Sequence, residues 1–257
     1  AREREMRVEA ELPAPTPSDQ GFKVEALSLK LAHRSGKQTL ALQAASALEV
    51  DVDQGAIRMP GLRGSVTAEH PALQASKATL PLQAQLAWQR SRGAQPGKTL
   101  LSMALSHGRE TLNANAELQT LWPLVGQLAL ASNRFDVGGV FVPAGLLGVL
   151  SEVGPALSGA KLGGRLGLAQ LRLDSGVRLT SLKAPFTLDS GRLVLPGVEA
   201  ELYRGTLGGE LAVELASRRF TSKGEFNDLA LGPLAKDSRQ HLSLSGDLSG
   251  SFALNGE

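Results

Sequence analysis

Apolar residues recur at every second position through most of this chain, and in few places at helical spacing. In Thr187–Leu215, "TLDSGRLVLPGVEAELYRGTLGGELAVEL", Leu193 and Leu195 fall in step, and Leu211, Val213 and Leu215 alternate with Glu210, Ala212 and Glu214. Side chains of a strand point to opposite faces in turn, so this period-two pattern predicts strands with one apolar and one polar face. "HLSLSGDLSGSFALNG" repeats it with Leu242, Leu244, Leu248, Phe252 and Leu254. "TLPLQAQLAWQ" does so with Leu80, Leu82, Ala84, Leu86 and Trp88, and "FTSKGEF" with Phe220 and Phe226. Leucine favours helices in isolation, but alternation and turn spacing outvote propensity here.

Turn signals punctuate the strands every ~8–15 residues, as in an all-β meander. They include Ser35-Gly36, Asp53-Gln54-Gly55, His107-Gly108, Asp174-Ser175-Gly176, Asp189-Ser190-Gly191 and Gly208-Gly209. "LDSGVRL" and "LDSGRLVL" are near copies. "AELQTLWPLVGQLALAS" and "FNDLALGPLAKDSRQHLSLSG" form a longer echo: strand end, hydrophobic turn with a proline, strand. Such repetition predicts an array of hairpins rather than a fold built around one site. Three segments break the rhythm. "TPSDQG" reads as a turn or linker and "SRGAQPGK" as a loop. "PAGLLGVLSEVGPAL" sets Leu146, Val149, Leu150 and Val153 at helical spacing, a short helix ending before Pro155.

Composition narrows the function more than the fold. The 257 residues are 42% hydrophobic and 20% charged, with a net charge of +2. The charges are interspersed and aromatics are only 4%, which argues against nucleic acid as a partner. Cysteine is absent, so no disulfide or thiolate chemistry is available. Val137–Ser151, broken by Pro143 and glycines, falls short of the ~20 apolar residues of a spanning helix. "MRVEAEL" already alternates and "SGSFALNGE" stops in mid-pattern, so the chain reads as an internal fragment whose ends are cut sheet edges, with self-association through them.

Candidate chemistry fails on inspection. His33, His70, His107 and His241 lie far apart, with no neighbour at metal-ligand spacing. "DVDQGAIRMPGL" misplaces the glycine of a calcium loop and ends on Leu62 where a Glu is needed, so a hairpin turn is the better reading. "GAKLGGRL" has Arg165-Leu166 where a phosphate loop needs Lys and Ser or Thr. No G-x-S-x-G elbow is present. Glu199 and Glu201 share a strand face but fit a solvated polar face. No catalytic, cofactor or metal residues are assigned, and the chain reads as a non-enzyme. The alternating apolar face is what remains. Periodicity leaves two arrangements open: a sandwich packs that face on a second sheet, and a curled sheet leaves it as a groove.

From about Leu118 onward the chain resembles the AsmA family of Gram-negative envelope proteins. The motifs are "SNRFDVGGVFVP", "L-x-x-G-x-L-x-L", "A-x-L-Y-x-G-x-L-x-G" at Ala200–Gly209, "L-x-x-L-x-L-G-P-L" and "LSLSGDLSGSFALNGE". Before it the match is only strand rhythm, which divides the chain into 1–117 and a continuous 118–257. The resemblance implies an all-β, elongated, curled antiparallel sheet (a β-taco or half-barrel) with one or two short helices. It implies a periplasmic carrier of phospholipid or another acyl-chain lipid, supporting outer-membrane homeostasis. An inner-membrane anchor and contacts with both membranes would lie outside this chain. The groove candidates are Leu193, Leu195, Leu211, Val213, Leu215, Phe220, Phe226, Leu242, Leu244, Leu248, Phe252 and Leu254. The alternative is a structural or assembly scaffold for outer-membrane biogenesis, its apolar face fully packed.

Overall fold

The computed structural model describes residues 4–36, 38–93, 96–143, 145–238 and 244–256. Strand conformation accounts for 69% of them, so the fold is all-β. The chain forms two compact units, Ala1–Leu121 and Trp122–Glu257.

The first unit is a meander. Its strands are β1 (Arg4–Glu11), β2 (Thr16–Ser18), β3 (Gly21–Ser35), β4 (Gln38–Asp51), β5 (Ala56–Glu69), β6 (Lys77–Gln89), β7 (Lys98–His107) and β8 (Glu110–Leu121). They pair antiparallel in the order β1-β3-β4-β5-β6-β7-β8, with β2 beside β1 on the edge of β3. The "TPSDQG" segment is therefore a small hairpin arm rather than a linker: Thr16↔Lys23 and Ser18↔Gly21 are in register. The turn at Gly55 forms as its sequence predicts, with positive φ, and the Asp51 carboxylate accepts the Gln54 N–H at 2.7 Å.

The second unit holds β9 (Leu124–Ser132), β10 (Phe135–Asp136), α1 (Val137–Val140), α2 (Gly145–Val153), a 3₁₀ turn (Gly154–Leu157), β11 (Lys161–Arg172), β12 (Arg178–Asp189), β13 (Arg192–Leu202), β14 (Gly205–Glu214), β15 (Phe220–Ala230), α3 (Leu231–Asp237) and β16 (Asp247–Gly256). The sheet order is β9-β11-β12-β13-β14-β15-β16. It is antiparallel except where β11 runs parallel to β9 and β10. A parallel pair cannot be closed by a hairpin, and the crossover that closes this one carries α1, α2 and the 3₁₀ turn.

Four local readings change. The described residues hold three short α-helices where one or two were expected. The additions are α1, whose N-cap Asp136 accepts the Gly139 N–H at 3.0 Å, and α3, where the sequence echo predicts a turn. The other half of that echo, Trp122-Pro123, is a tight turn, so the two copies diverge. Gly208-Gly209 is no turn: both residues lie inside β14, and the chain reverses at Tyr203 and Arg204, which carry positive φ. A Cβ on Gly209 would stand 3.0 Å from Gly224 Cα, so this glycine serves close strand approach. Finally, the alternation from His241 does not make one long strand. Ser245 and Gly246 precede β16, and residues 239–243 lie outside the described set.

Cross-strand ion pairs on the polar faces reinforce register. Glu69–Lys77 (2.7 Å), Arg192–Glu214 (3.4 Å) and Glu210–Lys223 (3.9 Å) each join directly paired residues. All are exposed, so each contributes little stability and mainly disfavours a slipped ladder.

Candidate functional site: a continuous apolar sheet face

The alternation of individual strands becomes one surface because the ladders keep parity. In the second unit a row runs Leu162↔Leu188↔Leu193↔Val213↔Phe220↔Gly256 across six strands. A second runs Leu195↔Leu211↔Ser222↔Leu254, and a third Ala200↔Leu207↔Phe226↔Gly250. Phe252 stands opposite Gly224 between them. Bulges do not break this face. The one between Phe226 and Leu229 places Asp228 at positive φ and its N–H on Ser249 Oγ at 3.0 Å, and Leu229↔Leu248 restores the parity.

Ten of the candidates thus share one face: Leu193, Leu195, Leu211, Val213, Phe220, Phe226, Leu248, Phe252, Leu254 and, continuing the parity of β14, Leu215. Leu244 precedes β16 and is outside the ladder, and Leu242 lies outside the described residues. Sharing a face does not mean sharing an environment. Leu195, Val213 and Leu215 are 8%, 5% and 3% exposed, whereas Leu248 and Leu254 are 43% and 57% exposed. The face is packed at β13 and β14 and open at β16.

Two insertions pack against this unit. The crossover seats Gly154 against Leu215, where a Cβ would come within 2.9 Å of Leu215 Cβ, and Arg218 Nε donates to Ser151 Oγ on α2 at 3.0 Å. At the opposite strand ends Leu234 of α3 packs on the core of Leu168, Leu179, Leu182, Ala200, Leu202 and Leu229. That helix is tied down by polar contacts. Asp237 accepts from Tyr203 Oη at 2.9 Å and from Arg178 Nη2 at 2.8 Å, and the Arg178 N–H donates to Tyr203 Oη. The bond from Arg178 lowers the Asp237 pKa, while burial raises that of Tyr203.

Among its described residues the first unit repeats the arrangement without helices. One row is Val8↔Leu31↔Leu42↔Val66↔Leu80, and another is Leu29↔Ala44↔Gly64↔Leu82↔Leu105↔Leu112. Val8 and Leu40 are exposed, and Val24 and Leu82 are buried. Among the described residues the strands of each unit all belong to one hydrogen-bonded sheet, with no strand outside it.

The alternating leucines were legible as a face; its extent was not. Leu166, Leu168, Leu182, Phe186 and Leu188 belong to it and escaped the candidate set, although "RLTSLKAPFTLD" carries the same alternation. The rejected motifs resolve as structure. Glu201 accepts from Thr180 Oγ1 at 3.1 Å, Glu199 stands opposite Lys183, and His70 Nδ1 accepts the Ala72 N–H. Among the described residues no three His, Asp or Glu side chains converge on a metal position. A recess of about 390 Å³ lies in the first unit, with Arg63, Gln83, Gln85, Ser102, Asn113 and Asn115 among its lining. These six occupy the polar parity, away from the leucine rows.

The chain matches no protein-family model, no curated protein and no solved structure.

Proposed function

We propose that the apolar face is a binding surface for the acyl chains of phospholipid or a similar lipid, and that the protein is a non-enzymatic lipid carrier of the bacterial envelope. The observation that carries this reading is the in-register leucine and phenylalanine surface, exposed at Leu248 and Leu254 on β16. An acyl chain has no polar group to recognise. Apolar area suffices to hold it, at ~0.8 kcal/mol per buried CH₂. On the second unit Phe226, Leu248, Phe252 and Leu254 would offer that area, with the lipid headgroup left in water. The resemblance of the Leu118–Glu257 region to AsmA-like proteins points the same way, to an elongated groove in the periplasm with membrane attachment supplied by other parts of a longer protein.

One observation favours the scaffold reading at part of the face. Val213 and Leu215 are already buried, and Leu215 lies against Gly154 of the crossover, so neither is open to a lipid. The acyl surface is therefore confined to the β15–β16 side.

The experiment is native mass spectrometry of protein purified without detergent, with lipid extraction and identification. Co-purifying phospholipid, lost in Leu248→Glu and Leu254→Glu variants that stay folded, supports a lipid face. A lipid-free protein that also takes up no phospholipid from donor vesicles rejects it.

A further inference from the structure

We propose that one end of the second unit, built from the Trp122-Pro123 turn and the α2 crossover, docks on a phospholipid bilayer surface. Trp122 is 81% exposed, more than any other large apolar side chain among the described residues. It is no isolated outlier. A Cβ on Gly159 would stand 3.3 Å from Pro123 Cβ, so the turn abuts the crossover segment. That segment carries α2, "GLLGVLSEV", with one ionisable residue in nine, and Val153 at its end is 43% exposed.

Cations accompany the apolar groups. Arg218 donates to Ser151 on α2 and has no carboxylate partner among the described residues. Lys161, opposite Val125 at the start of β9 and Asp189 at the end of β12, makes no ion pair among the described residues. An exposed indole on the same unit as cations that make no ion pair matches the headgroup zone of a bilayer, where tryptophan buries its ring and keeps its N–H near water while cations meet phosphate. A protein partner fits less well, because a hot-spot tryptophan usually sits amid a flat, water-excluding surround and this one stands on a two-residue turn. The contact is independent of the lipid face: a ring seated in headgroups needs no acyl chain on the sheet.

The test uses the full chain carrying Trp88→Phe, which leaves Trp122 as its single tryptophan. The probes are vesicles of phosphatidylcholine, alone or mixed with phosphatidylglycerol. Binding should shift Trp122 emission to shorter wavelength, and phospholipid brominated on its acyl chains should quench it. Trp122→Ser should lower vesicle partition about tenfold, a modest share of the gain from burying a large apolar side chain. The partition should rise when phosphatidylglycerol is present. Unshifted and unquenched emission overturns the proposal. So does a Trp122→Ser protein that floats with vesicles as well as its parent, which would mean simple charge adsorption. Leu254→Glu, altered on the lipid face, should float normally, so failure of the lipid-face reading and failure of this one are told apart.

Discussion

The ring of Phe252 lies across Gly224, its directly opposed neighbour on β15. A Cβ at Gly224 would come within 2.7 Å of Phe252 Cζ. The arrangement recurs. Phe186 faces Gly164, Phe220 faces Gly256 and Phe226 faces Gly250, each ring within contact range of the Cβ the glycine lacks. Four phenylalanines thus fill the gaps of four glycines, covering backbone that would otherwise be exposed and pinning each ladder. Gly224→Ala should destabilise by ~1–3 kcal/mol, because the ring must leave its place and nearby backbone is crowded. Gly208→Ala, where a Cβ meets nothing within 4 Å, should change stability little. Urea unfolding of both variants checks the contrast. Equal effects would show that the ring contact is incidental.

These pairs show where the sequence was readable and where it was not. Alternation identified the strands, and Ser35-Gly36, Asp53-Gln54-Gly55 and Asp189-Ser190-Gly191 identified their turns, because period-two burial and positive φ are local requirements. The meaning of an in-strand glycine is set by the residue opposite. Gly208-Gly209 therefore reads as a turn until register shows Gly224 and Glu225 beside it. The helix α3 was hidden for a similar reason. Leu231–Asp237 lacks a capping side chain at Ala230 and holds only seven residues, so its stability comes from Leu234 on the core and Asp237 on Tyr203 and Arg178. The candidate face was legible as a set of leucines. Which of them are open depended on two insertions whose landing places no local pattern encodes.

Charge substitutions separate the open from the packed part of the face. Val213→Glu buries an unpaired carboxylate and should cost several kcal/mol, enough to unfold the second unit. Leu248→Glu, at a position 43% exposed, can keep its charge hydrated and should cost ~1 kcal/mol or less. Asn255→Glu on the opposite, polar face is the control. Thermal melts of the three order them. A Leu248→Glu protein as unstable as Val213→Glu would mean that the face is closed at β16 and leaves no room for an acyl chain there.

The tie that holds α3 should respond to acid. In the folded protein Arg178 donates to the Asp237 carboxylate and lowers its pKa below that of the unfolded chain. A depressed carboxylate contributes stability that is fully present above its unfolded pKa, ~3.9, and is lost as pH falls through the folded value. Asp237→Asn should therefore be less stable than the parent at neutral pH, and the difference should shrink below about pH 4. Tyr203→Phe removes one hydrogen bond to the same carboxylate and should cost ~0.5–1.5 kcal/mol at neutral pH. Urea titrations across the pH range, with hydrogen exchange at Leu234 and Ala235 as a local readout, follow both. A constant gap between Asp237→Asn and parent from neutral pH to pH 3 would mean that the carboxylate's charge plays no part in holding α3 against the sheet.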